Sequence, residues 1–316
     1  MLLKDIGGEF SFINRVSFKS TDPSVLVPNG DDAAVFEVGG EIMAISTDTV
    51  VENDHFSFDY FTPYQVGKKA IESSVSDIIA IGGKPRFIFI SLCLPKDTHI
   101  ERMEEVYRGI SDACKRCSCE VLGGDTTHGL QMVISVTVTG IIASKDRICT
   151  RSNAKPGDLI YVTGVLGGSI AGLALLRKKI EGFDKIKKFH LEPECRIDII
   201  DKIAPYATSM IDVSDGLSSE IHHICKSSGV GAIIDESKVP LAQGIEEVAK
   251  LFGKSAYLYA YSGGEDFQLV YTISAKDKAH ALGFEIGIVT QQDVLIKRNG
   301  EISNFENRGY DHFLLD

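Results

Sequence analysis

Apolar and polar positions change period several times along the chain. Glu41–Val51 (EIMAISTDTVV) is rich in β-branched and apolar residues and predicts a strand. From Pro63 the pattern turns helical and runs to about Ile81. Thr62 and the proline make a sound helix start, and Gly82-Gly83 a sound stop. Phe87–Leu94 is a short apolar strand ended by Pro95. His99–Cys117 follows as an amphipathic helix, and Glu120–Leu122 and Gln131–Ala143 as further strands. Phe87–Leu94 and Met132–Ala143 are the longest apolar stretches and read as buried strands, well short of the ~20 residues that span a bilayer.

Ser144–Asp158 (SKDRICTRSNAKPGD) is polar, basic and carries Pro-Gly, which places a domain boundary there and divides the chain into 1–144 and 145–316. Beyond it, Leu159–Gly164 predicts a strand, and Gly167-Gly168-Ser169 opens an Ala/Leu-rich helix to about Lys179. Glu181–Lys188 is charged and reads as a surface connection. Arg196–Ala204 predicts a helix, Ser209–Val213 a strand, Asp215–Ser228 a helix, and Phe267–Ile273 a strand after Gly263-Gly264. Helices and strands mix without a strict βαβ rhythm, so the expected class is α+β.

Composition narrows the function. Lys plus Arg is 33 and Asp plus Glu is 44 in 316 residues, a net charge of −11. That balance argues against nucleic acid or an anionic membrane as a partner. Seven cysteines, an odd number without a scaffold pattern, suggest a reduced, cytoplasmic protein. The start, MLLKDIGGEF, lacks the apolar stretch of a secretory signal. There is no G-x-x-x-x-G-K-[ST], no G-x-G-x-x-G after a strand, and no kinase catalytic-loop set.

The placing of the aspartates is what stands out. Asp31 and Asp32 precede an apolar run, and Asp48 lies in a strand. Asp77 sits on an otherwise apolar helix. Asp125 follows Gly123-Gly124 at a strand end, and Asp212 and Asp215 flank another. An aspartate at a strand end is often a turn former or helix cap. Asp77, in a helix interior, has no such explanation. A buried carboxylate needs a cation, and few Lys or Arg lie nearby in sequence. Oxygen ligands without a Cys/His set point to Mg²⁺. Cys114-x-x-Cys117-x-Cys119 is too compact for a zinc site, and His222-His223 diverge on a helix. Lys68-Lys69 reads as a solvated face, and Ser262–Asp266 as a glycine turn or a ligand-binding turn.

Taken in order, NGDDAAV (29–35), STDT (46–49), the His-Phe of Asn53–Phe56, SDIIAIGG (76–83), GGDTT (123–127), PGD-x-I-x-VTG (156–164), D-x-SDGLS (212–218), SGGED (262–266) and a terminal GYDHF resemble the thiamine-monophosphate kinases, within the aminoimidazole ribonucleotide synthetase superfamily. The likeness runs from Gly7 to Phe313. It implies an N-terminal α/β domain and a C-terminal α+β domain, paired as a homodimer. It also implies direct phosphoryl transfer from ATP to thiamine monophosphate, with several Mg²⁺ ions. Carried over by motif, Asp32, Thr47, Asp48, Asp77, Asp125, Asp212 and Asp215 would hold metal, with Asp48, Asp125 and Asp212 the catalytic group and Asp31 a helper. Tyr107, Gly124, Asp125, Arg151 and Ser214 would bind the nucleotide, and His55, Glu265 and Tyr310 the thiamine part. His128 stands where the family often has Arg, and Asp54 where a neutral residue is common. The alternatives are a superfamily enzyme with another acceptor and a non-catalytic nucleotide-binding regulator. A selenophosphate synthetase would need a reactive N-terminal Cys, whereas the first cysteine here is Cys93.

Overall fold

The computed structural model describes residues 2–310, 312 and 313. After α1 (Gly8–Val16) come β1 (Val25–Val27), β2 (Ala34–Val38) and β3 (Glu41–Val51). Then follow α2 (Pro63–Ala80), β4 (Lys84–Leu94), α3 (Ile100–Cys117), β5 (Glu120–His128) and β6 (Val133–Ile142). The six strands form one sheet in the order β1-β2-β3-β6-β4-β5. Every pair is antiparallel except β4–β5, where α3 supplies the crossover a parallel pair requires.

Helix α2 lies against β3, β4 and β6 on one face of this sheet. Val66, Ala70, Ile71, Val75, Ile78 and Ile79 of α2 join Ile88, Ile90, Ile134, Val136 and Val138 in the first core. Each fully buried isoleucine contributes about 1.5–3 kcal/mol. The long strands therefore alternate: in β6, Ile134, Val136, Val138, Gly140 and Ile142 are buried and the residues between them only half-buried. Phe87–Leu94 and Met132–Ala143, expected as buried strands, are thus strands buried through the face that α2 covers.

The start of α2 is a capping box. Thr62 Oγ1 accepts from the Gln65 N–H at 3.3 Å, Gln65 Oε1 accepts from the Thr62 N–H at 3.0 Å, and Pro63 follows. Two glycines let α3 press close. A Cβ at Gly67 would stand 2.0 Å from Val106 O, and one at Gly109 would stand 1.9 Å from Tyr64 O.

The C-terminal half comprises β7 (Leu159–Val162), α4 (Gly168–Arg177), α5 (Asp184–Leu191), α6 (Ile200–Ile203), β8 (Ala207–Asp212), α7 (Leu217–Ser228) and β9 (Gly231–Asp235). It continues through α8 (Ile245–Leu251), α9 (Ala256–Ser262), β10 (Leu269–Ile273), β11 (Phe284–Thr290), β12 (Val294–Arg298) and β13 (Glu301–Asn304). Its seven-stranded mixed sheet runs β13-β12-β9-β11-β7-β10-β8. Both halves thus mix helix with mixed sheet, the expected α+β class. Their packing is continuous, since Tyr161, Ile199, Met210 and Tyr271 belong to the first core.

Two segments differ from expectation. Asp184–Leu191 is a helix rather than a surface connection, because Ile186 and His190, four apart, turn one face into the protein. Arg196–Ala204 is helical only over Ile200–Ile203. Arg196 is drawn aside by Thr163 O at 2.5 Å and Gln268 Oε1 at 3.0 Å, a tertiary contact that overrides local propensity. Among the described residues no helix is long and apolar enough to cross a membrane.

Candidate active site

Three aspartates far apart in sequence meet at the junction of the halves. Asp32 lies before β2, Asp77 on the inner face of α2, and Asp212 at the end of β8. One carboxylate oxygen of each lies within 4.8 Å of the others. Ser46 Oγ donates to Asp77 Oδ2 and Ser76 Oγ to Asp212 Oδ2, both at 2.6 Å. Burial, followed by the charges of Asp212, Asp48 and Asp32, holds the Asp77 carboxyl well above the usual range. Burial, then Asp32, pushes Asp212 up to about 8. Asp31 is pushed up to about 6 by burial, then Asp32.

Arg151 opposes this charge. Arg151 Nη2 donates to Asp32 Oδ1 at 2.8 Å, and its backbone N–H donates to the Asp31 carboxylate. Among the described residues the buried Asp32 Oδ2 has no hydrogen-bond partner. An orphaned buried carboxylate oxygen among three carboxylates costs free energy that a bound cation recovers. The donors are all oxygens, which fits a hard divalent cation such as Mg²⁺ rather than zinc. Asp215 adjoins the cluster. Its N–H donates to Glu220 Oε1 at 2.9 Å, and burial, then Asp215, raises Glu220 well above the carboxylate range.

From this cluster a cleft of about 530 Å³ leads along α2. Asp48, His55, Asp77, Asp212, Ser214, Asp215, Glu265 and Tyr310 all line it, eight of the residues the motifs single out. The far end is built on the Ser262–Asp266 turn, where Glu265 holds φ +63° and its N–H donates to Ser214 O at 2.8 Å. Gly264 is required there, since a Cβ would stand 1.9 Å from Ser214 O. The Tyr310 N–H donates to Asp215 O at 3.1 Å, which lays the C-terminal segment across the cleft. His55 stands 3.5 Å from Asp54 Oδ2 at the mouth. Burial is the main cause that lowers the His55 pKa, ahead of the opposing pull of Asp54.

Four of the singled-out residues are not brought to this cleft within one chain. Register pairs Asp48 with Val136, on the face packed by α2. Thr47 faces the other way, with its hydroxyl 2.9 Å from that of Thr137. Asp125 pairs with Ser91, which pairs with Ser135, which pairs with Thr49, all on that second face. Asp125 is also not at a strand end. Strand β5 continues through Gly124 to His128 because it pairs with β4, and Gly124, at φ +158°, approaches Ile90 O too closely for any Cβ. Tyr107 is 43% exposed on α3.

Other cleft residues carry no sequence signal. Ser73 and Arg177 line it, as does His190 from the unexpected helix α5. Lys69 is 1% exposed, so Lys68-Lys69 is not a solvated face. A lysine beside another lysine on a helix gives no hint that one points inward. The Lys68 side chain is also only 13% exposed, beside Glu192 and Glu194.

Comparison with known proteins places this arrangement. Residues 30–142 match the N-terminal domain of AIR synthase related proteins, and residues 155–296 match the C-terminal domain. The thiamine-monophosphate kinase of Aquifex aeolicus is 37% identical over 86% of this chain and 87% of its own length. That of Escherichia coli K12 is 35% identical over 97% and 98%. A solved structure of AaThiL complexed with AMPPCP and TMP superposes with a TM-score of 0.88 at 35% identity, covering 99% of each chain. The hydrogenase maturation protein HypE of E. coli, at 21% identity and a TM-score of 0.70, shares the fold.

Proposed function

Because the chain belongs to the AIR synthase related family, and within it to the thiamine-monophosphate kinases, we propose that the cleft between its halves is where ATP and thiamine monophosphate meet on Mg²⁺ held by the aspartate cluster. The activity is ATP-dependent phosphorylation of thiamine monophosphate to thiamine diphosphate. The bond between the γ-phosphorus and its bridging oxygen breaks, and a bond to an acceptor phosphate oxygen forms, with no covalent enzyme intermediate. ADP leaves.

Such a transfer brings two polyanions together, so positioning and charge neutralisation dominate. Asp32, Asp48, Asp77, Asp212 and Asp215 are the residues that would hold Mg²⁺, with Thr47 and Asp125 completing the set. When bound, Mg²⁺ neutralises phosphate charge and fixes phosphate geometry. Arg151, against Asp32, and Ser214 serve the ATP phosphates. His55, Glu265 and Tyr310 hold the acceptor, whose cationic thiazolium suits a carboxylate and an aromatic face. The acceptor phosphate is ionised near neutral pH, so a general base is not required.

The observation that carries the reading is the three-carboxylate cluster with its orphaned Asp32 Oδ2, at one end of a cleft that has Glu265 and Tyr310 at the other. The test is incubation of purified protein with ATP, Mg²⁺ and thiamine monophosphate, with thiamine diphosphate read by chromatography. Product is expected from thiamine monophosphate only, and not after chelation. Product from free thiamine, or turnover undiminished by chelator, counts against it.

The working form is a homodimer, with the domain boundary at 144/145. Strand β5 supports the dimer: it is an edge strand, exposed along all nine residues, with Leu122 at 54%. A long exposed edge calls for a cover. Asp125 also lies three strand spacings, about 14 Å, from Asp48 and on the opposite face of the sheet. A second copy would supply Gly124, Asp125 and Tyr107 to the cleft. The seven free thiols suit a reducing, cytoplasmic compartment.

A further inference from the structure

Two buried polar side chains beside the acceptor end of the cleft have no part in the mechanism above. Lys69 on α2 is 1% exposed and His190 on α5 is 2% exposed. A buried ammonium is costly unless paired and hydrogen-bonded. Lys69 Nζ donates to His55 O at 2.7 Å and stands 2.7 Å from Glu265 Oε1. His190 Nδ1 lies 3.1 Å from Ser169 Oγ and 3.3 Å from Glu265 Oε2. Both oxygens of Glu265 are therefore engaged from behind by groups shielded from water, while Glu265 itself remains 27% exposed in the cleft.

This is more than the burial of one ion pair. The backbone at Glu265 is held at φ +63°, which for a glutamate persists only where its surroundings impose it. Its two anchors come from different halves of the chain. Lys69, Ser73 and Asp77 recur every four residues along one face of α2, and Ser73 and Asp77 line the cleft. At 1.5 Å per residue, Lys69 and Asp77 stand about 12 Å apart along the axis. One rigid helix thus carries a carboxylate of the aspartate cluster and the ammonium behind the acceptor-site carboxylate. Burial, then the charge of Lys69, holds the His190 pKa well below its ordinary value. A neutral imidazole, hydrogen-bonded to Ser169, stands against Glu265 without a second positive charge that would cancel it.

We propose that Lys69 is a positioning residue for the acceptor: it fixes Glu265 as an oriented anion that receives the cationic heterocycle of a phosphate ester. The inference rests on the thiamine-monophosphate kinase reading and deepens it. Lys69 touches neither substrate and acts through Glu265 and the His55 loop.

The test is steady-state kinetics on Lys69→Met, Lys69→Gln, Glu265→Gln and the double variant Lys69→Met/Glu265→Gln. KM for thiamine monophosphate should rise about tenfold or more in each single variant, the scale of losing a charge-assisted bond, with KM for ATP within about twofold. The double variant should be no worse than Glu265→Gln alone, because Lys69 acts through that carboxylate. Lys69→Gln keeps a donor for His55 O and serves if the methionine variant does not fold. Single-variant effects that multiply in the double variant, or KM values that rise alike for both substrates, would overturn the proposal and mark Lys69 as a core residue. Failure of the unmodified protein to make thiamine diphosphate would instead refute the kinase reading, and Lys69's role with it.

Discussion

A single carboxylate shows how far residue-level reasoning reaches. Asp77 stands in a helix interior among Val75, Ile78 and Ile79, all buried, where neither capping nor solvation accounts for it. That mismatch was legible from the sequence alone. Its partners were not, because Asp32 and Asp212 lie 45 and 135 positions away, and Arg151 approaches Asp32 from across the junction. Asp48 makes the cleanest test, since it lines the cleft and the bond that its Oδ1 accepts from the Thr49 N–H at 2.7 Å survives an amide. Asp48→Asn should lower kcat by at least about 10²-fold, the scale of removing one transition-state stabilising group. Its melting temperature should stay within a few degrees of the parent's. Full activity of that variant in excess Mg²⁺ would remove Asp48 from the metal set.

At the scale of elements, α2 organises the site, and its packing against α3 can be probed directly. Alanine is a better helix former than glycine by about 1 kcal/mol, so Gly67→Ala should stabilise an isolated helix. Here a methyl would stand 2.0 Å from the Val106 carbonyl, and only separation of the helices relieves that contact. Overpacking wins, and Gly67→Ala should cost about 1–3 kcal/mol in denaturant unfolding. An unchanged or higher midpoint would show that the helices part freely. The start of α4 offers a pH test. Buried Asp266 accepts from the Gly167 N–H at 2.6 Å and the Ser169 N–H at 3.1 Å, and burial pushes its carboxyl up to about 7 from 3.8. The folded chain therefore holds this proton where the unfolded chain has lost it, and Asp266 contributes less stability as pH rises from about 4 to 7. Asp266→Asn has no such proton. Its deficit in melting temperature should be larger at pH 5 than at pH 8, shrinking steadily between them. A deficit that grows with pH would reverse the sign and place the carboxyl below its ordinary range.

For the whole molecule, the decisive feature is that the two halves share a core and a cleft, while Asp125 stands on the far face of the first sheet. If a second copy completes each site, Asp48→Asn and Asp125→Asn chains are each inactive alone but complement one another. A hybrid pair has one site with both substitutions and one with neither. Random pairing makes half of the dimers hybrid, so co-refolded chains should recover about one quarter of the parent activity, as two-fold symmetry requires. No recovery from a mixture that forms dimers would mean that each site draws Asp48 and Asp125 from the same chain.

The class of chemistry and most of the elements are legible in the order of residues along the chain. Periodicity and capping are local, so Glu41–Val51, the Thr62-Pro63 start of α2, α3 and β7 are readable from neighbours within a turn or a strand. The motif order carried the family. Tertiary structure decided what depends on distant partners. It set which strand faces are covered and made a helix of Asp184–Leu191. It also carried β5 past a Gly-Gly that reads locally as a stop, through its pairing with β4. It turned Lys69 inward against Glu265, nearly two hundred positions away. Burial and charge pairing are properties of the folded chain, and a residue's type does not state which neighbours will surround it.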